Sequence, residues 1–165
     1  MGLFSILPIV REHYKSLVSD SSKKRAVIIF GVIPTAISII LILSGMNLTR
    51  DLAEVLIPAI AILIGFSINA MLLLIGRVSD EPTEREEKLV KNTRNHTMYA
   101  VILGLATLVI VLVFLISSKN KLAPVDLPLR TMASFLIYFL IGHYIISLYL
   151  LPARFYAIAE NINID

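Results

Sequence analysis

An all-α, polytopic membrane protein with four transmembrane helices is the fold class this sequence predicts, and three observations predict it. Hydrophobic residues make up 57 % of the 165 positions and charged residues only 16 %, against roughly 25 % in an ordinary soluble domain. Residues 26–49, 55–76, 95–118 and 131–153 contain no Asp, Glu, Lys or Arg. Finally, the basic residues flank these stretches and form no stripe. A formal charge of +3 therefore reads as a set of topology signals and not as the footprint of a nucleic-acid binder.

Each charge-free stretch is long enough for one crossing and too short for two, because about 20 apolar residues span a hydrocarbon core of roughly 30 Å. The spans are expected near residues 26–43, 54–76, 98–116 and 131–151. A soluble chain of this size would be one domain with a polar exterior, and the mean hydropathy of +0.83 leaves too little to build one. A β-barrel needs strands alternating apolar and polar residues, whereas Leu108–Ile116 is continuously apolar.

Orientation follows from Lys and Arg. Eleven of the 15 fall in residues 1–25, in the loop 77–97 and after residue 151, and four fall in the two remaining loops. By the positive-inside rule both termini and the central loop are cytoplasmic, and the chain belongs in the cell inner (plasma) membrane. The apolar start, Gly2 to Val10, lacks a basic n-region, so no cleavable signal peptide is expected.

The N-terminal segment, residues 1–25, reads as amphipathic. Over residues 9–20, Val10, His13, Tyr14, Leu17 and Val18 share one face opposite Arg11, Glu12, Lys15 and Ser19. Such a helix lies in the headgroup region or docks on a protein. Arg11, Lys15, Lys23, Lys24 and Arg25 are its candidate contacts to anionic lipid or a partner.

In the central loop, Thr83 followed by Glu86 resembles a capping box, so a helix is expected to start there and run on into the third span. Glu84–Lys88 and Glu87–Lys91 have the spacing and polarity of stabilising i,i+4 pairs. These four residues form a candidate polar recruitment site for a cytoplasmic protein. The outer loops are expected to be short: Ser44 to Asp51 a tight turn with Gly45, and Ser117 to Arg130 an extended link with Pro124 and Pro128. Residues 152–165 form a cytoplasmic tail.

No acid or base lies deep in any span, which disfavours a proton-coupled transporter or a voltage sensor. Thr35, Ser67, Asn69, Thr107 and His143 make up a layer of weaker polar groups at similar depth. They read either as interhelical glue or as the lining of a wet path, with an Asn69–His143 hydrogen bond within reach. Ala61, Gly65 and Asn69 at four-residue steps, and Ala100 with Gly104, are small-residue spacings that let helices approach closely, within the unit or between copies. Tyr99, Tyr149 and Tyr156 fit an interface belt in a chain without Trp.

With no cysteine, thiolate metal sites and cysteine nucleophiles are excluded. The phosphate-loop, dinucleotide, zinc-protease and nucleophile-elbow patterns are absent, and His13, His96 and His143 lie in three segments without metal-ligand spacing. No enzyme activity, cofactor or bound metal is expected.

The layout, with a basic amphipathic N-terminus (Arg11 to Arg25), a charged helical central loop (Asp80 to Arg94) and a short tail (Arg154 to Asp165), resembles the small four-span membrane subunits of bacterial anti-phage systems such as the Kiwa membrane component. That resemblance covers the whole chain through its layout and hydropathy. It implies a homo-oligomer that senses membrane perturbation and works with a cytoplasmic partner. Two functions follow as expectations: a non-enzymatic membrane scaffold or sensor, or a pore-forming, ion-conducting effector.

Overall fold

The computed structural model describes residues 6–20, 22–75, 83–120 and 127–162, and every element among them is helical. Helix α1 spans Leu7–Asp20. The first crossing is built from α2 (Lys23–Val27), a π-turn (Ile28–Val32) and α3 (Ile33–Leu43). The other three are single helices, α4 (Arg50–Ile75), α5 (Glu84–Asn120) and α6 (Leu127–Ile162).

Four helices are long and apolar enough to cross a membrane, and within each apolar window only 22–33 % of residues are buried inside the protein. Val55, Ile62, Phe66, Val109 and Val113 point outward. So much exposed hydrocarbon is stable only where the solvent is lipid, since there the outward side chains cost nothing.

A helix covers each expected span, and the third and fourth extend further than their charge-free stretches at both ends. The third begins at Glu84, where the capping box forms: the Thr83 N–H donates to Glu86 Oε2 at 2.8 Å and the Glu86 N–H to Thr83 Oγ1 at 3.3 Å. The fourth does not stop at residue 151, for α6 continues through Pro152 to Ile162, so most of the expected tail is helix. Between α3 and α4 the chain turns at Gly45, whose φ of +78° suits glycine. The turn is then pinned by Leu48, which is fully buried. Its N–H donates to Ser134 Oγ at 2.8 Å, and its carbonyl accepts from Arg130 Nε and Nη2 at 3.3 and 3.2 Å. Of the extended link expected over Ser117 to Arg130, the first four residues close α5 and the last four open α6, with Pro128 in the first turn of α6; Pro124 lies outside the described residues.

The crossings stand in the order α4, α5, α6, α3, so the first and second spans are sequence neighbours but not packing neighbours. The core runs along the α4–α5–α6 contacts through Ile60, Ile64, Ala100, Val111, Ile137 and Tyr144. Gly104 is needed there, because a Cβ would meet Ile64 Cγ1 at 2.8 Å and Tyr144 Cζ at 2.9 Å. The Ala100–Gly104 step therefore packs within the unit. Ala61 and Gly65 do not: both are exposed on the outer face of α4, and nothing lies within 4 Å of a Cβ built on Gly65. Helix α1 lies across α5 and touches α2.

Candidate functional site: a histidine–tyrosine network

The site begins with a proline. Pro34 has no N–H for the carbonyl of Phe30, four residues back, and its ring crowds that carbonyl. The helix responds by widening over Ile28–Val32, where the Ile33 N–H reaches the Ile28 carbonyl in an i→i−5 bond. The released Phe30 carbonyl accepts from His143 Nδ1 of α6 at 2.8 Å. A carbonyl can only accept, so Nδ1 carries the proton and Nε2 of a neutral imidazole is an acceptor. Tyr99 of α5 fills it, donating its hydroxyl to His143 Nε2 at 2.8 Å.

A second chain of bonds runs beside the first. His96 Nε2 donates to the Ser147 carbonyl at 2.8 Å. The same logic makes His96 Nδ1 an acceptor, and His13 Nδ1 of α1 donates to it at 3.1 Å. The His13 ring stacks on Tyr99, with centroids 3.8 Å apart and planes 9° apart, and meets Phe30 edge-on at 5.8 Å. The three histidines and Tyr99 are all buried. His13, from a helix outside the crossings, is thus locked against α5 and the π-turn. Its remaining nitrogen, Nε2, is buried without a hydrogen-bond partner among the described residues. Burial holds the His13 imidazole far below its ordinary pKa, with His96, Arg154 and His143 adding to the effect.

The expected polar layer is largely not assembled. Thr35, Ser67 and Thr107 turn their hydroxyls to carbonyls of their own helices, Gly31, Leu63 and Leu103, at 2.7–2.8 Å. Back-bonding of this kind satisfies a hydroxyl without any neighbour. Asn69 is exposed on α4, and both nitrogens of His143 are occupied elsewhere, so the Asn69–His143 bond does not form. Of the layer, only His143 belongs to the network.

Tyr99 is buried in the network and is not part of a belt, whereas Tyr149 and Tyr156 are exposed as a belt requires. On α1, Arg11 and Lys15 are exposed opposite buried His13, and Lys15 pairs with Glu12 at 2.7 Å. Lys23, Lys24 and Arg25 are exposed at the start of α2. Glu84, Glu87, Lys88 and Lys91 are exposed as expected, but neither Glu84–Lys88 nor Glu87–Lys91 closes into an ion pair among the described residues. Pairs in full solvent contribute little and lose side-chain entropy on closing. Glu86 instead turns back to cap the helix.

Spacing alone puts His13 and His96 near the same inner interface, but it does not reveal this network, whose three histidines are brought together only by tertiary packing. One signal was present: a proline at position 34 liberates the carbonyl at position 30, which then needs a donor from a neighbouring helix. Among the described residues, no group of three or more His, Asp or Glu is arranged to hold a metal ion. All the network's donors end on carbonyls or on other members, an arrangement that fixes helices in place. No protein family, curated protein or solved structure matches the chain.

Proposed function

We propose that this chain is a self-associating inner-membrane scaffold or sensor without catalytic activity, whose N-terminal helix and central charged helix face the cytoplasm and serve a soluble partner. The observation that carries the reading is the lock on α1: His13 of a surface helix is bonded to His96 and stacked on Tyr99, which is itself bonded to His143. Any shift of α5 or α6 within the bilayer acts directly on a helix that presents Arg11 and Lys15 outward. A few packed rings thereby couple the membrane interior to the cytoplasmic face.

Self-association is supported by α4, which stands at the end of the row with α5 as its packing neighbour. Ala61, Gly65 and Asn69 lie along its exposed face at four-residue spacing. In lipid, small residues permit close backbone approach and an amide gains a partner across the contact. Recruitment is supported by the exposed Glu84, Glu87, Lys88 and Lys91 at the start of α5. The layout resemblance to anti-phage membrane subunits supplies a biological setting, defence at the inner membrane.

The test has three arms on the full chain purified in detergent. Mass measurement by light scattering is expected to give an oligomer that Ala61→Leu with Gly65→Leu converts to monomer. Affinity capture from native cells is expected to bring down a soluble protein that the charge reversals Glu84→Lys and Glu87→Lys release. Planar bilayers are expected to carry no current. A monomeric parent protein, or current from the protein alone, overturns the proposal.

A further inference from the structure

Because the first crossing packs on α6 and not on α5, a gap remains between the π-turn and α5. It is a cavity of about 480 Å³, floored by α6 and open along one side. That size falls within the roughly 300–1,000 Å³ typical of small-molecule sites. Phe30, Gly31, Tyr99, Phe139 and Leu140 line it with hydrocarbon and ring surface, and Lys23 stands at its rim beside Lys24 and Arg25. Among the described residues no carboxylate lines it. The open side, where Val27 is exposed, lies along an apolar helix that crosses the membrane, so what reaches it comes from the bilayer.

We propose that this groove is a binding site for one anionic glycerophospholipid, its acyl chain between the π-turn and α5 and its phosphate on the Lys23 ammonium. Charge complementarity selects this occupant. A zwitterionic lipid carries a cation that the Lys23–Lys24–Arg25 cluster repels, whereas an anionic headgroup satisfies an ammonium held at headgroup level. The site differs from the lipid that coats any membrane protein in having a cation at one end of a walled slot. Tyr99 and His143, which help hold α1, form part of its wall, so an occupied groove buttresses the lock on α1. The site does not depend on what the cytoplasmic helices recruit.

The experiment is native mass spectrometry of the full chain in detergent, titrated separately with phosphatidylglycerol and phosphatidylcholine. One phosphatidylglycerol per chain is expected to survive detergent exchange, and phosphatidylcholine to be lost. Lys23→Gln, on an exposed side chain, is expected to weaken phosphatidylglycerol about fivefold, the effect of one basic residue at an anionic surface, and to leave phosphatidylcholine unchanged. Gly31→Leu puts a branched side chain into the slot, and nothing lies within 4 Å of a Cβ at Gly31. It is expected to abolish retention with the melting temperature and elution volume of the parent. Equal retention of the two lipids, or parent-like retention in both variants, overturns the proposal. A change of oligomer size in Gly31→Leu also overturns it, because the slot would then be a protein contact. Should Gly31→Leu not elute as folded protein, the lipid selectivity of Lys23→Gln decides by itself.

Discussion

Pro34, Phe30 and His143 show how one backbone defect specifies a tertiary contact. The missing N–H orphans the Phe30 carbonyl, the π-turn swings it outward, and His143 Nδ1–H takes it at 2.8 Å. In lipid no water is at hand to substitute, so the donor must come from the protein. His143→Leu removes both bonds of the ring and leaves the Phe30 carbonyl and the Tyr99 hydroxyl buried and unpaired. A loss of about 1–3 kcal/mol is expected, read as a lowered melting temperature in detergent. Tyr99→Phe removes only the donor to Nε2 and is expected to cost less. Equal melting of His143→Leu and the parent would show that the carbonyl has another partner. At this scale the sequence was half legible. Position 143 stands out as a titratable group in an apolar run, but its partners sit 44 and 113 residues away and no spacing rule reaches them.

The helices show the same division between what charge dictates and what packing dictates. Span positions were legible because an ionised side chain in hydrocarbon costs several kcal/mol, a penalty that depends only on position along the chain. Which face of each span turns inward was not legible, since a helix apolar all round has no moment to orient it. Two identical small-residue steps therefore met different fates. At Gly104 a methyl group would overlap Ile64 and Tyr144, and Gly104→Ala is expected to destabilise the α4–α5–α6 core by about 1–3 kcal/mol. At Gly65 nothing of the same chain is near, and in the monomeric state Gly65→Ala is expected to leave chain stability unchanged or slightly raised. Paired thermal melts of the two variants check this, and equal destabilisation would contradict the packing described. Helix α1 responds to a different variable. His13 faces His96 and Tyr99 of α5 and His143 and Arg154 of α6, and its folded pKa is lowered chiefly by burial. A released His13 takes up a proton near its ordinary value of about 6.5, while the docked ring stays neutral. Docking is thus fully favoured above about pH 6.5 and loses up to about 1.4 kcal/mol for each unit below it. A spin label at exposed Arg11 is expected to gain mobility on acidification in the parent. In His13→Phe, which keeps the stack on Tyr99 but cannot titrate, that change is expected to vanish.

Taken whole, the molecule concentrates its polar chemistry at the end that carries α1, the start of α5 and the end of α6. The opposite end holds the α3–α4 turn, clamped by Arg130 and Ser134 on Leu48, and the exposed Arg50–Glu54 pair at 2.8 Å. That asymmetry was legible from the counts of Lys and Arg. The row order α4, α5, α6, α3 was not, because four apolar crossings can be arranged in several ways that satisfy the same charge pattern. The order matters for function: it leaves one face of α4 without a neighbour and a slot between the π-turn and α5, and neither would exist if the first two spans packed together. Orientation decides whether these features work as argued, and the absence of native cysteine makes it directly measurable. Lys88 and Thr49 are both exposed, one at each end of the bundle. A membrane-impermeant maleimide is expected to label Thr49→Cys in intact cells and Lys88→Cys only in inverted vesicles. The reverse pattern would put α1 and the Lys23 rim of the slot outside the cell. There the positive-inside rule fails, no soluble cytoplasmic partner can reach the start of α5, and the inner leaflet cannot supply the lipid.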